Sequence, residues 1–185
     1  LEKRGAAVLP IEAPPAVGEI EGLIKGFLAD GPVAGMYWLP ALDAEPELEE
    51  LDLEAWRELN RVRVKNLYLA ARALLSQADD AAPFLVVGTR LGGQHGYGPE
   101  GATAPLGGAV TGFAKAYKRE RPAALVKAVD FAAGRKSAEP AEALLAETLL
   151  DPGVVEVGYS DGLRLGVALE ERPACDGRPG LVRTG

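Results

Sequence analysis

The sequence has very little sulfur and imidazole chemistry: one cysteine, Cys175, and one histidine, His95, in 185 residues. A lone thiol makes no internal disulfide, and it excludes a zinc site built on paired thiolates. The expectation is a reduced, cytoplasmic protein. No apolar run nears the ~20 residues that cross a bilayer. No charged segment followed by an apolar one opens the chain as a secretory leader would. Cations are also in deficit, with 20 Lys+Arg against 27 Asp+Glu and a net charge of −7. A duplex nucleic-acid binder needs clustered cations to neutralise phosphates, so neither a nucleic-acid nor a membrane partner is expected. What is present is ordinary globular composition, 48% hydrophobic and 25% charged. The length suits one domain that buries roughly 70% of its unfolded surface.

The chain opens on Leu1 rather than Met, which reads as a piece of something longer. Residues Leu1–Arg4 suit a last helical turn, closed by Gly5. Ala6–Ile11 (AAVLPI) is predicted as a short buried strand, with Pro10 near its end. Apolar residues at 17, 20, 23, 24, 27 and 28 predict a helix over Val17–Leu28. Val33–Leu39 reads as a second strand, followed by an acidic loop over Pro40–Leu51. Asp52 is a plausible N-cap for a long helix running to about Ser76. Its core stripe is Leu53, Trp56, Leu59, Val62, Leu67, Leu74 and Leu75.

Phe84–Val87 is a third strand, followed by glycines at 88, 92, 93, 96, 98, 101, 107 and 108. A helix over Pro105–Glu120 is closed by Pro122, and Leu125–Phe131 is a fourth strand. Glu139–Leu150 is a helix opened by Glu139 and Pro140. Val154–Tyr159 and Leu163–Leu169 flank Ser-Asp-Gly and read as a hairpin. Residues 174–185, rich in Gly, Pro and Arg, read as a linker. Strands alternating with helices predict an α/β fold: a truncated Rossmann-like, mainly parallel sheet with helices on both faces and a C-terminal hairpin.

Candidate chemistry is thin. Gly96-Tyr97-Gly98-Pro99-Glu100-Gly101 matches G-x-G-x-x-G literally. That motif cradles a pyrophosphate only when it follows a strand directly and opens a helix. Here it starts eight residues after Gly88, Pro99 removes an amide, and no acidic residue stands at the expected distance downstream. It reads as a loop. His95 could act as a general base, with no sequence neighbour as partner, and the plain reading is a surface loop histidine. Cys175, between Arg172 and Arg178, reads as an incidental thiol. Lys115, Lys118, Arg119 and Arg121 complement a helix C-terminus, or form a docking patch for an acidic partner. Trp38 and Trp56 read as core or interface aromatics. The acidic run Glu45–Glu54 reads as a solvated loop rather than a metal cage.

Residues 33–131 resemble the second half of a short-chain dehydrogenase/reductase. The helix Trp56-Arg-Glu-Leu-Asn-Arg-Val-Arg63-Val-Lys65 lies on that family's long helix. Phe84-Leu-Val-Val-Gly-Thr-Arg90-Leu-Gly-Gly93 lies on its serine strand, and Gly108-Ala-Val-Thr-Gly-Phe113 on the stretch after its catalytic lysine. Aligned without gaps, the family's Asn position holds Arg63, the Ser position Arg90, the Tyr position Thr103 and the Lys position Gly107. Independently of alignment, no tyrosine here has a lysine four residues on.

A half that has lost this set resembles the structural subdomain of ketoreductases in type I polyketide and multienzyme fatty-acid synthases. Ala109-Val-Thr-Gly-Phe-Ala-Lys-Ala-Tyr-Lys-Arg-Glu-Arg-Pro122 and the closing Val154–Leu169 hairpin carry that likeness. It implies that 1–173 is a non-catalytic pseudo-Rossmann subdomain and that 174–185 leads to a catalytic half. That half would carry NADPH and reduce β-ketoacyl thioesters on an acyl carrier protein. In this chain no residue is then expected to be catalytic, to bind a cofactor or to hold a metal. In that fold a first strand and helix precede the strand placed at Ala6–Ile11, so an upstream segment is expected to fill the sheet, or the sheet to rearrange. The alternative is a stand-alone degenerate reductase, either an atypical enzyme centred on His95 or an interaction module using Lys115–Arg121.

Overall fold

A computed structural model describes residues 1–77, 82–132, 138–150 and 153–171. Five strands form one sheet in chain order: β1 (Gly35–Trp38), β2 (Phe84–Thr89), β3 (Val126–Phe131), β4 (Glu156–Ser160) and β5 (Leu163–Gly166). The first three pairings are parallel and the last is antiparallel. The expected α/β architecture, mainly parallel with a terminal hairpin, is therefore the observed one. The hairpin turns on Asp161 and Gly162, both at positive φ, 50° and 76°. Two such residues make the primed turn that matches strand twist, and Asp-Gly is suited to it.

Strand periodicity sends alternate residues to opposite faces. Leu85, Val87, Val126 and Ala128 join Trp38, Leu67, Leu74, Val110 and Ala114 in one core. Val86, Val129 and Phe131 join Leu144 and Tyr159 in the other. The first core is capped by α1 (Glu19–Leu28), the long helix and α4 (Gly107–Glu120), the second by α5 (Ala138–Glu147). Both faces being covered explains the near-continuous apolar reading of β2 and β3.

The long helix begins where Asp52 caps it, its Oδ1 accepting from the Ala55 amide at 2.8 Å. It runs as α2 (Leu53–Asn60), a π-helical segment (Arg61–Lys65) and α3 (Asn66–Leu74). This corrects the single stripe read from the sequence. Leu67 and Leu74 are buried, whereas Leu53 and Trp56 are 60% and 41% exposed. An unbroken α-helix would stack all four on one face. The wider π turn takes up an extra residue and rotates α2 by about 100° relative to α3.

Ala6–Ile11 is not a strand: it joins no ladder, and Ile11 is 38% exposed. Pro10 has no N–H to give, and the sheet offers no neighbour beyond β1. Among the described residues β1 is an edge strand, paired to β2 alone. Gly5 does close the opening turn, at φ 82°. The linker 174–185, with Cys175, lies outside the described residues, as does Arg172.

Candidate functional site

In parallel α/β sheets ligands meet the carboxyl ends of the strands. Here that end is closed by polar contacts within the chain. After β1, the 3₁₀ turn Pro40–Leu42 and the following loop fold back over the π segment. Arg63 projects from that segment and is 1% exposed. Its Nε donates to the Pro40 carbonyl, Nη1 to Glu45 Oε1, and Nη2 to the carbonyls of Asp43 and Ala44. Every guanidinium nitrogen is engaged. Trp38 Nε1 donates to the Arg63 carbonyl at 2.8 Å, tying the pair to the core.

Glu45 is thus no solvated residue, a second correction: both members of the pair are almost wholly buried. Its other oxygen accepts from the Leu106 amide at 3.2 Å, at the start of α4. A buried carboxylate therefore sits at the positive end of a helix dipole. The next amides turn inward, Gly107 to Ala104, Gly108 to Pro105 and Ala109 to Leu106. Nearby, Arg90 Nε donates to the Leu42 carbonyl, and Thr103 Oγ1 to the Arg90 carbonyl at 2.7 Å. The structure thus brings Arg63, Arg90, Thr103 and Gly107 to one end of the sheet.

A second knot orders the glycine-rich loop. Asp130, fully buried on β3, accepts from Thr89 Oγ1 at 2.8 Å and the Leu91 amide at 2.6 Å. Its Oδ2 accepts from the His95 amide at 2.8 Å. The loop then lies on β4 at such short range that a Cβ on Gly93 (φ 79°) would strike the Tyr159 carbonyl. The density of glycine here serves close backbone approach.

The G-x-G-x-x-G stretch does not form a phosphate cradle. Gly101 lies six positions before α4, and the amides of Tyr97 and Gly101 bond back to Gln94 and Gly98. The N-terminus of α4, an anion site by default, already faces Glu45. No cluster of metal-ligating side chains occurs among the described residues. None of their helices is long and apolar enough to cross a membrane.

His95 departs from the surface reading. It holds φ 52°, Nε2 lies 3.1 Å from the Val157 carbonyl, and Nδ1 is buried. The basic cluster is also partly consumed: Lys115 pairs with Glu156 at 2.9 Å, and Lys118 donates to the carbonyls of Pro122 and Ala124.

Sequence reasoning missed a third polar centre, under α5. Glu147 is fully buried and faces Lys127, Arg164 and the Tyr159 hydroxyl. Burial would raise its carboxyl, but hydrogen bonds from Arg164 and Tyr159 and the charges of Arg164 and Lys127 outweigh that and hold it low. Burial and the Glu147 carboxylate push the Tyr159 phenol up to about 12. A lysine inside a strand that is buried throughout was the available signal. These groups clamp the hairpin and α5 to the sheet.

No family model matches the sequence, and no curated protein matches it significantly. Solved structures do. An alcohol dehydrogenase from the archaeon Thermococcus sibiricus, complexed with 5-hydroxy-NADP, is 18% identical with a TM-score of 0.60, covering 84% of this chain and 72% of its own. A short-chain dehydrogenase/reductase from Serratia marcescens is 16% identical, also with a TM-score of 0.60, covering 83% of this chain and 78% of its own. A double mutant of a Serratia marcescens short-chain dehydrogenase/reductase is 18% identical with a TM-score of 0.54, covering 70% of this chain and 54% of its own. Identities this low speak of the fold: the chain has the Rossmann-like fold found in short-chain dehydrogenase/reductases.

Proposed function

We propose that the chain is the non-catalytic structural half of a ketoreductase domain in a type I polyketide or fatty-acid synthase. The observation that carries this reading is the Glu45–Arg63 pair. It stands where reductase chemistry needs open, reactive groups, and it spends its hydrogen bonds on the chain's own backbone. A fully satisfied buried network rigidifies; it offers a substrate nothing to bind.

In this reading residues 1–173 form one subdomain and 174–185 lead to the catalytic half of the same polypeptide. That half binds NADPH and reduces β-ketoacyl groups presented by an acyl carrier protein, in the cytoplasm. The role of this half is to hold the other in shape. None of its own residues acts on substrate, cofactor or metal.

The test is a fluorescence titration of NADPH into the purified chain. The expected result is no saturable binding up to about 1 mM, weaker than −4 kcal/mol. Saturable micromolar binding overturns the reading. It would favour the alternative, a stand-alone degenerate reductase acting as an atypical enzyme.

A further inference from the structure

Helix α2 (Leu53–Asn60) packs shallowly: none of its residues is buried. Ala55 and Leu59 are half-buried, whereas Leu53 and Trp56 are 60% and 41% exposed. Residues three apart on a helix are surface neighbours, so these two side chains make one outward apolar patch. Leu48, in the 3₁₀ turn that precedes the helix, is 65% exposed as well. Apolar surface gathered in this way marks a place of interaction, and tryptophan is among the strongest anchors of an interface.

The exposure is built into the winding. The π segment turns α2 relative to α3; a regular α-helix would carry Leu53 and Trp56 onto the stripe of Leu67 and Leu74. That segment is held by Arg63, whose guanidinium is bonded to Glu45 and to the carbonyls of Pro40, Asp43 and Ala44. Local π turns recur at functional sites. A helix this short also gains little from its own backbone and is stabilised by what packs on it.

Charge selects what covers the patch. From Glu47 to Glu58 stand six carboxylates and one cation, Arg57. Asp52 is spent on the helix cap, and Glu58 pairs with Arg61. Glu47, Glu49, Glu50 and Glu54 are exposed and make no ion pair among the described residues. A second copy presenting the same face would set these carboxylates against their own kind, and an anionic lipid surface would be repelled in the same way.

We propose that α2 is a docking site for a cationic amphipathic helix of a partner protein. Its apolar side covers Leu53 and Trp56, and its lysines and arginines meet the carboxylates that flank them in sequence. Helix α2 is about 12 Å long, so roughly two turns of the partner suffice. This docking site stands whether or not the chain is half of a ketoreductase.

The two tryptophans make the test direct, because Trp38 is buried and Trp56 is not. The probe is a synthetic tryptophan-free helical peptide of lysine and leucine, titrated into the full chain at about 20 mM salt, where charge is weakly screened. Tryptophan emission should shift saturably to the blue as Trp56 is covered. Salt at about 0.5 M should weaken binding about tenfold. Leu53→Asp should weaken it about tenfold too, as should the pair Glu50→Lys and Glu54→Lys. All three positions are exposed, and circular dichroism checks that the variants fold. A response that does not saturate overturns the proposal. So does a Leu53→Asp chain that folds and binds as well as the parent. Equal binding of a glutamate–leucine peptide with the same apolar pattern, or of oligolysine without leucine, also overturns it. Dimerisation of the chain that Leu53→Asp abolishes would assign the face to a second copy instead.

Discussion

Two places on helix α4 use similar chemistry to opposite effect. At its N-terminus a carboxylate, a guanidinium, three carbonyls and an amide meet with every guanidinium nitrogen engaged. Beside its middle, the Nδ1 of a half-buried imidazole and a threonine hydroxyl are closed off from solvent with no partner among the described residues. Burial of an atom alone does not say whether its network is complete. The difference lies in completeness. A closed network resists change because any loss strands a charge, while an incomplete one loses little when a member is removed.

The comparison breaks most visibly at Glu45. Glu45→Ala leaves Arg63 buried without its counter-charge and should cost about 3–5 kcal/mol in urea unfolding. Replacing both partners with apolar residues of similar volume should recover most of that loss, because the desolvation of both ions is then avoided. If the single and double variants unfold alike, the pair is not the lock described.

A smaller effect belongs to Glu147, where several donors share the load. Glu147→Gln should cost about 1–3 kcal/mol near neutral pH, as a weakened buried hydrogen-bond acceptor. The pH dependence follows from its lowered carboxyl. Its stabilisation is complete above the ordinary carboxylate value of about 4.3 and is lost as pH falls through the lower folded value. The Gln variant should lack that acid-side slope in unfolding followed between neutral and acid pH.

The smallest effect sharpens the contrast. Thr111→Val should change stability by no more than about 1 kcal/mol, and in the stabilising direction, because it removes a buried hydroxyl that has no partner among the described residues. A clear thermal destabilisation would show that the hydroxyl already serves the fold.

Much of the architecture was legible because it is periodic or local. Leu85–Val87 is an apolar run, and Val126, Ala128, Val129 and Phe131 supply apolar residues to both faces of the next strand. Asp52 caps within three residues, and Asp161-Gly162 turns within two. What escaped depends on distant residues. Glu45 looks like one more acid in an acidic loop; only the return of that loop onto the π segment buries it beside Arg63. Trp56 carries the right spacing for the core stripe, yet a local winding change, unseen in hydrophobic pattern, turns it outward. Ala6–Ile11 has strand composition and no strand to pair with. His95 was visible as a lone histidine, but its tautomer and burial are set by Val157 and Asp130, 62 and 35 positions away.

Among the described residues nothing pairs with the outer side of β1, and its chemistry decides what can. A strand with unpaired amides and carbonyls is a template for aggregation, and this one carries Met36, Tyr37 and Trp38 with no charge among them. Its reach is limited by chain chemistry: Pro32 and Pro40 bracket it, and neither can donate to an incoming ladder. At the far edge the guard is electrostatic, with Arg164 set in β5 and its guanidinium drawn inward to Glu147. Among the described residues, then, one margin of the sheet carries no charge and the other is charged. A strand laid against Gly35–Trp38, from whatever source, has four residues to pair with before a proline interrupts the ladder at either side.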